Sequence, residues 1–313
     1  MDETAALLLA GVLTFIFGWN NSSILIGNER GSGTLSGRES TILCAVGIIL
    51  GVALEGSKMR GSLEGTITGQ ATDAVVLATL VVSIVLTAGS TFAAIPVSFS
   101  NTMVGAFAGA AFASSFVLRV GDISTILVFW GLAPLATAAV TFGALRLIVR
   151  ETRGWSLLSV DAFNRAGVGA VSLALAYVLG SNNIGLIYGT TLGGGQSSLG
   201  GAPVLLAFAA SAIVAIALFG RGNVAGTVGD KLLTLSPQGV LAAFSGTIIM
   251  MWIATQMSIP ISVSQCLVGG MFGAAFTKKI AIVNRRLSLE VVSSWVAVPI
   301  AAFAMSALLV GFL

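Results

Sequence analysis

The sequence has no histidine, two cysteines and six prolines in 313 residues, and only 9% of its residues are charged. Without His, and with Cys44 and Cys266 isolated in separate apolar runs, the usual ligands for zinc, haem and iron–sulfur centres are missing. The commonest base for hydrolytic catalysis is missing too. The expectation is a chain that is not an enzyme and carries no metal or cofactor. Two thiols make no disulfide framework and read as small core residues. Soluble domains carry about 25% charged residues, so this chain lacks the polar surface of a cytosolic globule. Its net charge of +3, from 15 Lys+Arg against 12 Asp+Glu, is too small to mark a nucleic-acid binder.

What the chain has instead is apolar length. Hydrophobic residues make up 56% of it and the mean hydropathy is +1.01. A bilayer core of about 30 Å takes roughly 20 apolar residues per helix. Apolar runs lie near 5–28, 40–55, 72–90, 93–117 and 123–148, then 165–190, 202–219, 237–257, 260–277 and 290–313. The pattern predicts an all-α polytopic membrane protein. The start Met1-Asp2-Glu3 leads straight into the first run, which reads as a membrane segment and not as a cleaved leader. Basic residues gather at Arg146, Arg150, Arg153 and Arg165, and again at Lys278, Lys279, Arg285 and Arg286. The positive-inside tendency puts both groups in the cytoplasm and both termini outside a cell membrane. Each half, 1–150 and 165–313 about a linker at 151–164, then crosses an odd number of times, and the halves are inverted relative to each other.

Internal repeats support that division. Pro96–Phe112 matches Pro260–Phe276 at 9 of 17 positions, offset by 164. Gly18-Trp-Asn-Asn-Ser-Ser-Ile-Leu-Ile-Gly27 echoes Gly180-Ser-Asn-Asn-Ile-Gly-Leu-Ile-Tyr-Gly189, offset by 162. A weaker echo joins Leu54-Glu-Gly-Ser-Lys-Met59 to Leu218-Phe-Gly-Arg-Gly-Asn223. Inverted repeats with interrupted apolar segments at matching places point to a secondary transporter with a midplane site.

The polar residues inside these repeats carry the chemistry. Asn20, Asn21, Asn182 and Asn183 stand where lipid solvates no amide, so protein or ligand must pair with them. Bonds between helices would do so without a ligand, but the doubling favours a site. In Pro-x-Ser-x-Ser-(Asn/Gln) the proline opens the backbone, and a helix restarts near Asn101 and Gln265. Its first amides, with the hydroxyls of Ser98, Ser100, Ser262 and Ser264, suit an anion. Ordinary serine N-caps are the structural alternative.

These motifs resemble the inorganic phosphate transporter (PiT) family, which includes phosphate and sulfate permeases. Its Gly-x-Asn-Asp-x-x-Asn-x-x-Gly motif, once per half, is similar to Gly18–Gly27 and Gly180–Gly189. Its Pro-Val-Ser-Thr-Thr-His motif, on a re-entrant hairpin, is similar to Pro96–Asn101 and Pro260–Gln265. Gly220–Gly229 with Leu235-Ser-Pro237 resembles a further family block. The resemblance implies a homodimer whose two inverted repeats of about five segments each contribute a broken helix and a hairpin to an anion site. Contacts would come from Ser98, Ser100, Ser262 and Ser264, with the Asn pairs beside them.

The departures from the family set the finer expectations. Asn21 and Asn183 stand where the family has Asp, Ile24 and Leu186 where it has a later Asn, and Asn101 and Gln265 where it has His. Loss of the acidic oxygens speaks against sodium coupling and for protons. Hydrogen phosphate can give its proton to a buried carboxylate, whereas sulfate meets only repulsion there. The expected substrate is therefore sulfate ahead of phosphate. A sodium-coupled phosphate transporter and an anion channel are the alternatives. Glu55 is the expected proton-coupling residue, and Lys58 or Arg221 the expected counter-charge.

Overall fold

The computed structural model describes residues 3–69, 71–93, 97–192, 201–219, 235–278 and 285–313. Pro96, Arg221 and the block Gly220–Gly229 lie outside the described residues. The described residues are helical and contain no strand. Eight helical stretches among them are long and apolar enough to cross a membrane.

The elements are α1 (Glu3–Gly31), α2 (Gly37–Glu55), α3 (Asp73–Phe92), α4 (Phe99–Ala113) and α5 (Val120–Glu151), followed by α6 (Leu157–Leu179), α7 (Gly185–Leu192), α8 (Ala202–Phe219), α9 (Pro237–Gln256), α10 (Val263–Lys278) and α11 (Arg285–Val310). Local chemistry sets several of the starts. Ser36 and Glu39 close a capping box at the head of α2, which satisfies two amides that a helix leaves unpaired. Ser156 caps α6, and Ser236 caps α9 with Pro237 just inside, where its missing N–H costs nothing. The apolar run expected near 93–117 holds a shorter helix, because α4 begins only at Phe99.

The two Gly-x-Asn-Asn motifs fold differently. Around Gly180–Ile184 the chain makes a π-helical turn between α6 and α7, which widens the helix by one residue and turns its side chains inward. The first motif does not break its helix: α1 runs unbroken through Gly18, Asn20 and Asn21. A single interior glycine costs about 1 kcal/mol, and packing against α3 and α8 offsets it, with Trp19 stacked on Phe219 and set edge-on to Phe92.

The halves trade contacts in pairs. Gly105 of α4 lies against the backbone of Pro299 in α11, and Gly269 of α10 lies against Pro134 in α5; a Cβ would fall 2.4 Å and 2.2 Å from the respective carbonyl oxygens. Gly109 and Phe303 are repeated in the same way by Gly273 and Ala138, as are Gly18 and Ala212 by Gly180 and Ile48. Every member of a pair differs from its counterpart by 162 to 165 in number. Where lipid gives no hydrophobic drive between helices, such small-residue contacts let backbones pack closely.

Candidate functional site

Two reversals of helix direction carry the repeated serines: α3 leads to α4, with residues 94–96 between them outside the described residues, and α9 leads to α10, and each new helix starts on a serine. Ser98 Oγ accepts from Asn101 N at 3.3 Å, and Ser262 Oγ accepts from Gln265 N at 3.2 Å. These two serines are thus N-caps, as the structural alternative holds, and the first-turn amides they leave without an intrahelical acceptor are those of Phe99 and Ser100, and of Val263 and Ser264. Ser264 Oγ lies 2.9 Å from Ser262 Oγ. Ser100 Oγ donates to the Ile261 carbonyl at 2.8 Å, which ties one reversal to the other.

Asn182 and Asn183 reach these reversals, and Asn20 reaches the last turn of α3. Asn183 Nδ2 donates to Ser100 Oγ at 3.0 Å. Asn182 Nδ2 donates to Thr255 Oγ1 at 3.0 Å and to the Ile259 carbonyl at 3.3 Å, with Met59 Sδ at 3.7 Å. Asn20 Nδ2 donates to Thr91 Oγ1 at 2.8 Å. The hydroxyls of Thr91 and Thr255 themselves donate back to the carbonyls of Thr87 and Met251. Their oxygens must therefore accept from the carboxamides, which fixes which end of each Asn is the nitrogen.

The consequence is a set of committed nitrogens and uncommitted oxygens. Oδ1 of Asn20, Asn101, Asn182 and Asn183 and Oε1 of Gln265 are buried without a protein partner, as are both polar atoms of Asn21. Asn20, Asn21, Asn101, Asn182, Asn183 and Gln265 are each at most 2% exposed. Among the described residues, no charged side chain bonds to these groups. They offer an anion four helix amides, and they offer a cation or a proton donor several carbonyl oxygens.

Asn101 has a second duty. A proline inside a helix frees the carbonyl four residues before it. Pro299 does this to Trp295, and Asn101 Nδ2 donates to that carbonyl at 3.3 Å. In the other half Trp130, four residues before Pro134, donates its indole N–H to the Pro260 carbonyl at 3.1 Å. The two helices with internal prolines thus support the two reversals.

Of the expected charged residues, Glu55 and Lys58 are described and bond to each other and to Gln256. Glu55 accepts from Lys58 Nζ at 2.7 Å and from Gln256 Nε2 at 3.2 Å, and Lys58 also bonds Gln256. Each meets the other's charge at a partly exposed position. Thr91 and Thr255 escaped the sequence reading, although both stand five residues before the repeated proline, an alignment that extending the 164-residue offset backwards would have exposed. The bond from Asn101 to Trp295 left no sequence signal.

The profile described as the phosphate transporter family matches residues 17–173 and 179–313. The Methanocaldococcus jannaschii protein named "Putative phosphate permease MJ0630" is 24% identical over 310 residues, covering 98% of this chain and 95% of that one. The Bacillus subtilis protein named "Sulfate permease CysP" is 25% identical over 329 residues, covering 98% and 87%. A solved structure titled "The sodium-dependent phosphate transporter" superposes with a TM-score of 0.85 at 16% identity, over 99% of this chain and 98% of that one, a likeness of fold. The protein is therefore a multi-pass membrane protein that belongs to the phosphate transporter family.

Proposed function

We propose that the chain is a secondary active transporter of a tetrahedral oxyanion, with sulfate preferred to phosphate and protons as the coupling ion. The observation that carries this reading is that two capped helix starts are tied to each other and to Asn183 in a buried cluster that leaves polar atoms over and has no charged partner among the described residues. A dianion with no proton meets no carboxylate there, and the neutral Asn21 and Asn183 remove the repulsion that Asp would impose. One relative of similar identity bears a sulfate permease's name. The paired exchange of glycine contacts supports two inverted repeats, 1–150 and 165–313, with the site on their pseudo-two-fold axis.

One observation favours a second reading, sodium-coupled phosphate transport. The unpartnered atoms are mostly carbonyl oxygens, which are sodium ligands and also acceptors for the proton of hydrogen phosphate. Uptake of labelled sulfate and phosphate into proteoliposomes, under separate inward proton and sodium gradients, tests both. The first reading expects sulfate to accumulate above equilibrium with a proton gradient and phosphate to compete weakly. Sodium-driven phosphate uptake that sulfate cannot compete with would establish the second in its place, and flux that never exceeds electrochemical equilibrium would mark a channel.

A further inference from the structure

Among the described residues, Glu29 is the one side chain of a charged type that is fully buried, at 0% exposure. It lies near the end of α1, nine residues beyond Asn20 and so about 13 Å along the same helix. Its carbonyl accepts from Thr34 N and Ser32 Oγ, but both carboxyl oxygens lack a hydrogen-bond partner. The groups that face the carboxyl are the hydroxyls of Ser40 on α2 and Ser172 on α6, themselves without partners, and the thiol of Cys44 on α2. Among the described residues, no cation is one of them. Arg30 and Arg38 are exposed, and Arg165 of α6 is paired with Glu39 of α2 at the surface. A groove of about 610 Å³ runs along these two helices, lined by Leu35, Leu43, Arg165, Gly169 and Glu39, which is next to Ser40 in the chain.

An isolated buried carboxylate costs several kcal/mol, and a bound proton removes that cost. Glu55, by contrast, is held as an ion pair with Lys58. We propose that Glu29 is a proton-binding site of the transport cycle, taking up a proton from the side of α2 and α6 that carries the groove and releasing it as α1 shifts with its Asn pair. This rests on the proton-coupled reading of the function. The step transfers one proton between water and one carboxylate oxygen, beside the hydroxyls of Ser40 and Ser172.

The test compares wild type with Glu29→Gln in proteoliposomes, measuring sulfate uptake under an inward proton gradient and sulfate exchange at equal pH. Glu29→Gln is expected to lose the stimulation by the gradient and to keep exchange. Stimulation equal to wild type would overturn the proposal, as would loss of a sodium-driven component with the proton-driven one intact. Infrared difference spectra of the purified protein on adding sulfate supply a readout independent of flux and of the Gln variant's folding. The wild type is expected to show a carboxylic acid carbonyl band that shifts in Glu29→Asp, and absence of that band would overturn the proposal. If the wild type shows no proton stimulation, the coupling proposed for the function fails, and the infrared band alone decides whether Glu29 takes up a proton when the anion binds.

Discussion

A carboxamide is useful at a buried site because its two ends can be committed separately. Asn20, Asn182 and Asn183 each spend the nitrogen on a hydroxyl whose own proton is already engaged, and so present an oxygen. Asp at position 21 or 183 would bring a charge to the same place. Asn21→Asp with Asn183→Asp is expected to shift the ratio of uptake from sulfate towards phosphate, measured by competition between the two labelled anions. An unchanged ratio would separate selectivity from these residues. The doubled Asn was legible in the sequence because an amide in an apolar run has few explanations. The duty of Asn101 was not, since its partner lies 194 residues away and is exposed only by the kink at Pro299. Nor was the pairing of Lys58 with Glu55 read from the sequence, although the two are three residues apart, because the spacing alone does not say that the 3₁₀ turn at Gly56–Met59 brings them together.

At the scale of elements, the reversals are held by close backbone contact. A methyl group at Gly105 or Gly269 meets a carbonyl oxygen of the helix with the internal proline, which the fixed backbone cannot yield without moving. Overpacking of this kind costs about 1–3 kcal/mol. Gly105→Ala and Gly269→Ala are each expected to lower the thermal midpoint of the detergent-solubilised protein and to slow anion exchange. Gly89→Ala, where nothing lies within 4 Å, is expected to leave the midpoint unchanged or raise it. Equal midpoints for all three would show that these contacts are not tight. Helix positions were readable from apolar runs, and the late start of α4 was foreshadowed by Pro96. The persistence of α1 through Gly18 was not readable, because helix integrity there depends on Trp19 packing between Phe92 and Phe219, residues of two other elements.

For the whole molecule, scarcity of charge has two consequences. It allows the chain to lie in a bilayer, and it leaves the buried amides of Asn182 and Asn183 without a carboxylate partner among the described residues. The chain belongs to the phosphate transporter family, and its glycine contacts repeat between the halves. The offsets of 162 and 164 were visible in the sequence alone. Which residues they brought into contact was not, because contact across halves depends on how the repeats are oriented in space.

The central claim is that the convergent cluster is the anion site. It is tested most directly by equilibrium exchange of labelled sulfate in proteoliposomes that carry Asn183→Leu, a substitution close in size that removes the amide bonded to Ser100. The account predicts that exchange is lost while the protein still elutes as a folded species at the wild-type position. Exchange at the wild-type rate would contradict it.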